Sequence, residues 1–135
     1  MGSPTTNGHP APADFAAWRE RLASLTAEVR RWAESEKWPV SAEEKAIEEP
    51  GLPPYAATLL HIQTPQGRVD LEPIAFRVLG TGGRVELAAW PSLNRVSLQA
   101  KNGSWVVWTD SNIPWPKPWG RDTFIELARE LAASE

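Results

Sequence analysis

Apolar residues recur at helical spacing near both ends of the chain and at alternate positions through its middle. Phe15, Trp18, Leu22, Leu25, Val29 and Trp32 follow one another at intervals of three and four residues. That spacing puts all six on one stripe of an α-helix. Arg19, Glu20, Arg21, Glu28, Arg30, Arg31 and Glu34 fall off the stripe, so an amphipathic helix is predicted over residues 14–37. Trp38-Pro39 ends it, because the residue before proline is pushed out of the helical region. Burying each large stripe residue is worth roughly 1.5–3 kcal/mol, so this helix must dock. Its partner is either the chain's own sheet, the reading adopted here, or a second copy in a homodimer. Phe124, Leu127, Ala128 and Leu131 form a second stripe. They predict a C-terminal helix over about 121–133, with Asp122 placed where the helix dipole favours a negative charge.

Between the helices, turn chemistry sets the strand register. Asn102-Gly103 is the strongest hairpin signal, since a type I′ turn needs positive φ at both central residues. A two-residue loop there pairs Lys101 with Ser104, Ala100 with Trp105, Leu98 with Val107 and Val96 with Thr109. It also sets Arg95 opposite Asp110. A four-residue loop at 91–94 would pair Ala89, Leu87 and Val85 with Val96, Leu98 and Ala100. A loop at 80–83 would pair Val78, Phe76 and Ile74 with Val85, Leu87 and Ala89. A tight turn at Gln66-Gly67 would pair Val69 and Leu71 with Thr64 and Ile62. The apolar positions change from odd (Val69, Leu71) to even (Ile74, Phe76, Val78), so Glu72-Pro73 must carry a bulge or bend. All four turns put apolar side chains on one common face.

Residues 39–54 are acidic and proline-rich, with at most a short edge strand near 45–48. Residues 111–120 (SNIPWPKPWG) alternate tryptophan and proline and predict an extended polyproline segment. Residues 1–12 carry no periodicity and read as a disordered tail that includes His9. The expected architecture is therefore α+β: an N-terminal amphipathic helix, a five-stranded antiparallel β-meander and a C-terminal helix packed on the sheet, as one domain over 13–135. One helix on each face of the sheet is the alternative arrangement.

Composition narrows the function classes. The 135 residues hold no cysteine, which excludes disulfides, thiolate zinc sites and cysteine nucleophiles. No apolar stretch is long enough to cross a membrane, and the basic-then-apolar pattern of a signal peptide is missing, so a cytoplasmic protein without membrane contact is expected. Net charge is −3, but residues 55–121 carry seven basic and four acidic groups. The strand region is thus mildly basic, short of a nucleic-acid footprint.

Catalytic arrangements are scarce. His61, between Leu60 and Ile62, reads as a satisfied sheet residue rather than a general base. The glycines at 80–83 lack the lysine and following helix of a phosphate loop. Asp70 and Glu86 resemble the acidic pair of restriction-type nucleases, which hold magnesium between strands. The lysine expected two residues beyond the second acid is replaced by Ala88, and the helix before the last strand is missing. No cofactor or metal is therefore expected.

Eight tryptophans stand out, because tryptophan is concentrated where protein interfaces hold their energy. The predicted register places Trp90, Val106 and Trp108 on the face opposite the apolar one, among Arg77, Arg84, Arg95, Gln99 and Lys101. There, Trp90 could stack on Arg95 and the Trp/Pro segment could fold back over Trp108. The sequence reading is a non-catalytic protein-interaction or regulatory module. Trp90, Trp108, Trp115 and Trp119 are its contact residues, with Arg95 and Lys101 as a polar rim. Single-stranded nucleic-acid binding through the Trp/Arg sheet face is the alternative, and a metal-dependent nuclease ranks third.

Overall fold

A computed structural model describes residues 13–78, 82–101, 103–109, 111 and 113–133. The tail at 1–12, Asn102 and Asp110 lie outside them, so the readings of a disordered tail and of an Arg95–Asp110 pair do too. The described elements are α1 (Ala13–Ser35), β1 (Val40–Ile47), β2 (Tyr55–Gln63), β3 (Arg68–Ala75), β4 (Arg84–Trp90), β5 (Arg95–Lys101), β6 (Ser104–Thr109) and α2 (Arg121–Ala132).

The α1 stripe behaves as its spacing requires. Phe15, Trp18, Leu22, Leu25 and Val29 are buried, Ala33 joins them, and Trp32 is half-buried. The Phe15 ring meets Tyr55 and Phe76 edge-on, while Trp18 packs against Phe76 and Trp105. The helix stops two residues short of the expected end. Lys37 enters the left-handed region at φ 62°. The Trp38 N–H then donates to the Ala33 carbonyl and the Lys37 N–H to that of Glu34. This is a Schellman closure, and it folds the buried Trp38 beneath Ala33.

All strands pair antiparallel in sequence order, in one sheet β1-β2-β3-β4-β5-β6. The sheet has six strands, not five. The added strand is β1, which pairs with β2 along its whole length, from Val40 opposite Ile62 to Ile47 opposite Tyr55. The sequence reading allows at most a short edge strand near 45–48 there and leaves it out of the count, because β1 is an edge strand rich in charge. Only Ile47 is buried, and Glu43, Glu44 and Lys45 stand where alternation would show. Charged side chains on an edge also discourage another chain from pairing with it.

The β5–β6 hairpin has the register expected from Asn102-Gly103, and Gly103 takes the positive φ (79°) that such a turn requires. Two other hairpins are displaced by two residues. Ile62 pairs with Val69 rather than with Leu71, and Leu87 pairs with Val96 rather than with Leu98. The first loop is in fact 64–67; β4 and β5 leave 91–94 between them, closed by the Ala89 N–H donating to the Asn94 carbonyl and the Leu93 N–H to that of Ala89. Thr64 closes the first with its own side chain, which accepts from the N–H groups of Gln66 and Gly67. A shift of two preserves side-chain parity, so the apolar face survived the error.

The β3–β4 connection differs more. Val69 pairs with Ala89, Leu71 with Leu87 and Pro73 with Val85. A register irregularity lies between Pro73 and Ala75, one residue beyond the expected bulge. Phe76, Arg77 and Val78 therefore leave the sheet. The backbone of Phe76 and Arg77 is held instead by Glu49, whose carboxylate accepts from their N–H groups at 2.9 Å each.

Both helices cover the same sheet face. Phe124 of α2 packs against Trp32 and Trp38, joining the helices, while Ile125, Leu127, Ala128 and Leu131 are buried with it in one core. Glu36 takes Arg121 at 2.8 Å and Arg129 at 3.1 Å across the same junction. At the far end of α2, the carbonyl of Leu131 accepts from Ser92 Oγ and Asn94 Nδ2 of the β4–β5 loop. A last-turn carbonyl has no partner within its own helix, so this contact pins α2 to the sheet.

Candidate functional site

With both helices on one side, no described helix covers the opposite face of the sheet, called the open face below. Strand alternation places Glu43, Lys45, His61, Arg68, Asp70, Glu72, Arg84, Glu86, Trp90, Arg95, Ser97, Gln99, Val106 and Trp108 there. Most of its charges are already matched. His61 Nε2 lies 2.7 Å from Glu43 Oε1 and Nδ1 lies 2.8 Å from Asp70 Oδ1. Asp70 also takes the Arg68 guanidinium on both oxygens, at 3.1 and 3.2 Å. Lys45 donates to Glu72 at 2.7 Å, and Arg84 to Glu86 at 2.9 Å. Glu72 and Glu86 stand directly opposite one another, and each is offset by its own cation.

Two carboxylates on one imidazole set its protonation. The hydrogen bond to Glu43, and after it the bond to Asp70, raise the His61 pKa above its ordinary value against a smaller effect of burial. His61 is thus a satisfied sheet residue, with both ring nitrogens engaged. Asp70 and Glu86 are each held by an arginine. Among the described residues no group of three or more His, Asp or Glu side chains is arranged to hold a metal ion.

The six candidate contact residues do not form one patch. Trp90, at the end of β4, is 46% exposed. Its ring lies beneath the Arg68 guanidinium, 5.7 Å from the centroid, rather than beneath Arg95. The register explains this, because Arg68 is directly opposite Trp90 whereas Arg95 is opposite Ala88. Trp108 stands on β6 beside Ser97. By strand geometry the backbone positions of Trp90 and Trp108 are about 17 Å apart, with Arg95 on the strand between them. Lys101 is exposed at the far end of β5.

Trp115 and Trp119 belong to the helix side. Pro114 bridges to Trp108, and the Trp115 N–H donates to the Val107 carbonyl at 2.8 Å, so the Trp/Pro segment folds back along the edge of β6. Both rings pack on the core, Trp119 against Trp32 and Phe124. Arg77 lies beyond β3 and off the open face.

No family model, curated protein or solved structure matches this chain. What the site can do must therefore be read from its own geometry.

The sequence reading missed the ion-paired strip. Its signal was present, since Arg68/Asp70 and Arg84/Glu86 are i, i+2 pairs that a strand sets side by side on one face. It also missed a polar depression between β4 and β6. Arg84, Glu86, Arg95, Val96, Ser97, Gln99, Trp108 and Thr109 line it.

Proposed function

We propose that this chain is a non-catalytic interaction module of the cytoplasm that binds a protein partner on the open face of its sheet. The observation that carries this reading is a six-stranded sheet that both described helices cover on one face, while the open face carries Trp90 and Trp108 among paired charges. Interfaces favour indoles ringed by polar groups. Trp90, Trp108, Arg95 and Lys101 supply the contacts, and Trp115 and Trp119 extend them around the β6 edge with whatever of their rings the core leaves free.

Affinity capture with cross-linking tests the reading. A partner captured by the wild type should be lost with Trp90→Ala combined with Lys101→Glu, and kept with Arg31→Glu on the exposed side of α1. Equal capture by both variants, or loss with Arg31→Glu alone, would overturn it.

Single-stranded nucleic acid is the second reading, favoured by Arg68, Arg84, Arg95 and Lys101 sharing a face with two indoles. Glu43, Asp70, Glu72 and Glu86 on that face weaken the attraction for phosphates. Salt-sensitive quenching of tryptophan fluorescence by an oligonucleotide would favour this reading over a protein partner.

A further inference from the structure

One imidazole ties three strands together at the edge of the sheet. On β2, His61 stands directly opposite Ser41 of β1 and Asp70 of β3. Its Nδ1 lies 2.8 Å from Asp70 Oδ1 and its Nε2 lies 2.7 Å from Glu43 Oε1. Both contacts are donations only while both nitrogens carry protons. The remaining charges around the ring are committed elsewhere. Arg68 holds Asp70 from the same strand, and Lys45 holds Glu72 and the Pro73 carbonyl. Leu59 and Gln63 along β2, Ser41 on β1 and Ala88 beyond Asp70 bring no charge.

Losing one proton forces a choice between the two carboxylates, because the neutral ring keeps a single N–H. The Asp70 side chain is 10% exposed and that of Glu43 64%, so water can replace the donor at Glu43 far more readily than at Asp70. The proton therefore stays on Nδ1, and the bare Nε2 lone pair repels Glu43. That residue lies in the weaker half of the edge strand. The half at 44–47 has Glu44 bonded to Thr58, Lys45 bonded to Glu72 and Pro73, and a buried Ile47. At 40–43, Val40 is half-buried and the Glu43 contact with His61 is the one side-chain bond among the described residues. A segment with so few buried contacts opens locally at small cost.

We propose that His61 is a pH-operated clamp on the edge strand: its imidazolium pins residues 40–43 of β1 to the sheet, and its deprotonation frees that segment while 45–47 stay paired. Because the two carboxylates raise the pKa of the ring, the clamp is closed below the ordinary histidine value and opens on the alkaline side of it. Ser41, His61 and Arg68 also line a groove at this corner, so the same titration reshapes that groove.

Amide hydrogen exchange of the full chain, followed by NMR and normalised to the intrinsic rate at each pH, tests the clamp. The Gln63 N–H donates to the Pro39 carbonyl, so in this register Ser41, Glu43, Lys45 and Ile47 turn their N–H groups toward β2. Between about pH 6 and about pH 9, protection at Ser41 and Glu43 should fall at least threefold more than at Lys45 and Ile47. Ring nitrogen-15 shifts should place the proton of the neutral ring on Nδ1. In Glu43→Gln, at an exposed edge position, the amide can accept from Nε2–H or donate to the bare Nε2. The difference between the two halves should then vanish, and His61 should titrate at lower pH. His61→Gln should remove the difference as well. The clamp is overturned if both pairs of amides lose protection equally in the wild type, if the neutral ring holds its proton on Nε2, or if Glu43→Gln keeps the wild-type difference.

Discussion

Each ring nitrogen of His61 faces a carboxylate oxygen, which favours the doubly protonated ring, because a neutral imidazole has only one N–H to donate. Its folded pKa is raised, so its contribution is complete below the unfolded value of about 6.5 and is lost as pH rises through the folded pKa. Urea midpoints should therefore fall between pH 6 and pH 9 in the wild type, and fall less in His61→Gln. Glu49 behaves in the opposite sense. Burial alone would raise its carboxyl pKa, but hydrogen bonds from the Phe76 N–H, the Tyr55 hydroxyl and the Arg77 N–H, with the Arg77 charge, hold it below the ordinary value. Its contribution is present above the unfolded value of about 4.3 and disappears as pH falls through the lowered folded pKa. Tyr55 shares the contact: burial, and then the bond to Glu49, push its phenol up to about 12. Glu49→Ala leaves the N–H groups of Phe76 and Arg77 without their acceptor and should cost about 1–3 kcal/mol in denaturant unfolding at neutral pH.

At the scale of elements, two backbone positions decide how α1 ends and how it docks. Lys37 occupies the left-handed position of the Schellman closure, where a side chain is strained and glycine is not. Lys37→Gly should stabilise the protein by about 0.5–1 kcal/mol, the relief outweighing the extra freedom glycine gives the unfolded chain. A lower unfolding midpoint would contradict this account of the helix end. Gly83 leads into β4 at φ 131°, and a β-carbon there would overlap the six-membered ring of the buried Trp18. Gly83→Ala combines overpacking with backbone strain and should cost about 2–4 kcal/mol, visible as a large drop in Tm. In the sequence reading Gly83 is part of a hairpin loop at 80–83, of which only Gly82 and Gly83 are among the described residues. Its close approach to Trp18 was not legible, because the two positions are 65 residues apart and meet only when α1 crosses the sheet.

For the molecule as a whole, the two sides of the sheet should respond differently to the loss of an indole. Trp18→Ala removes a ring that is 1% exposed and should cost about 3–5 kcal/mol. Trp90→Ala removes a half-exposed ring whose ring contact is Arg68, and should cost about 1 kcal/mol or less. Calorimetry of the two variants separates core from display surface, and equal losses would mean that the open face is part of the fold's support. The candidate site was only half legible. Trp90, Trp108, Arg84 and Gln99 were assigned to the open side by parity alone, since alternation survives a register error of two. Which of them are neighbours depends on the true register, and there Arg68 replaces Arg95 beside Trp90.

Local pattern alone determined the two amphipathic helices, the identity of the greasy sheet face and the one hairpin whose turn chemistry permits a single register. These follow from periodicity and backbone sterics within a few residues. Tertiary structure decided the charged edge strand β1, which forms because β2 offers it a ladder and not because its own side chains seek burial. It also decided that both helices share one face, through the Phe124 contacts with Trp32 and Trp38. The opposite face is left without a described helix over it as a result. The depression between β4 and β6 is decided at that level too, since it exists only where side chains from three strands converge.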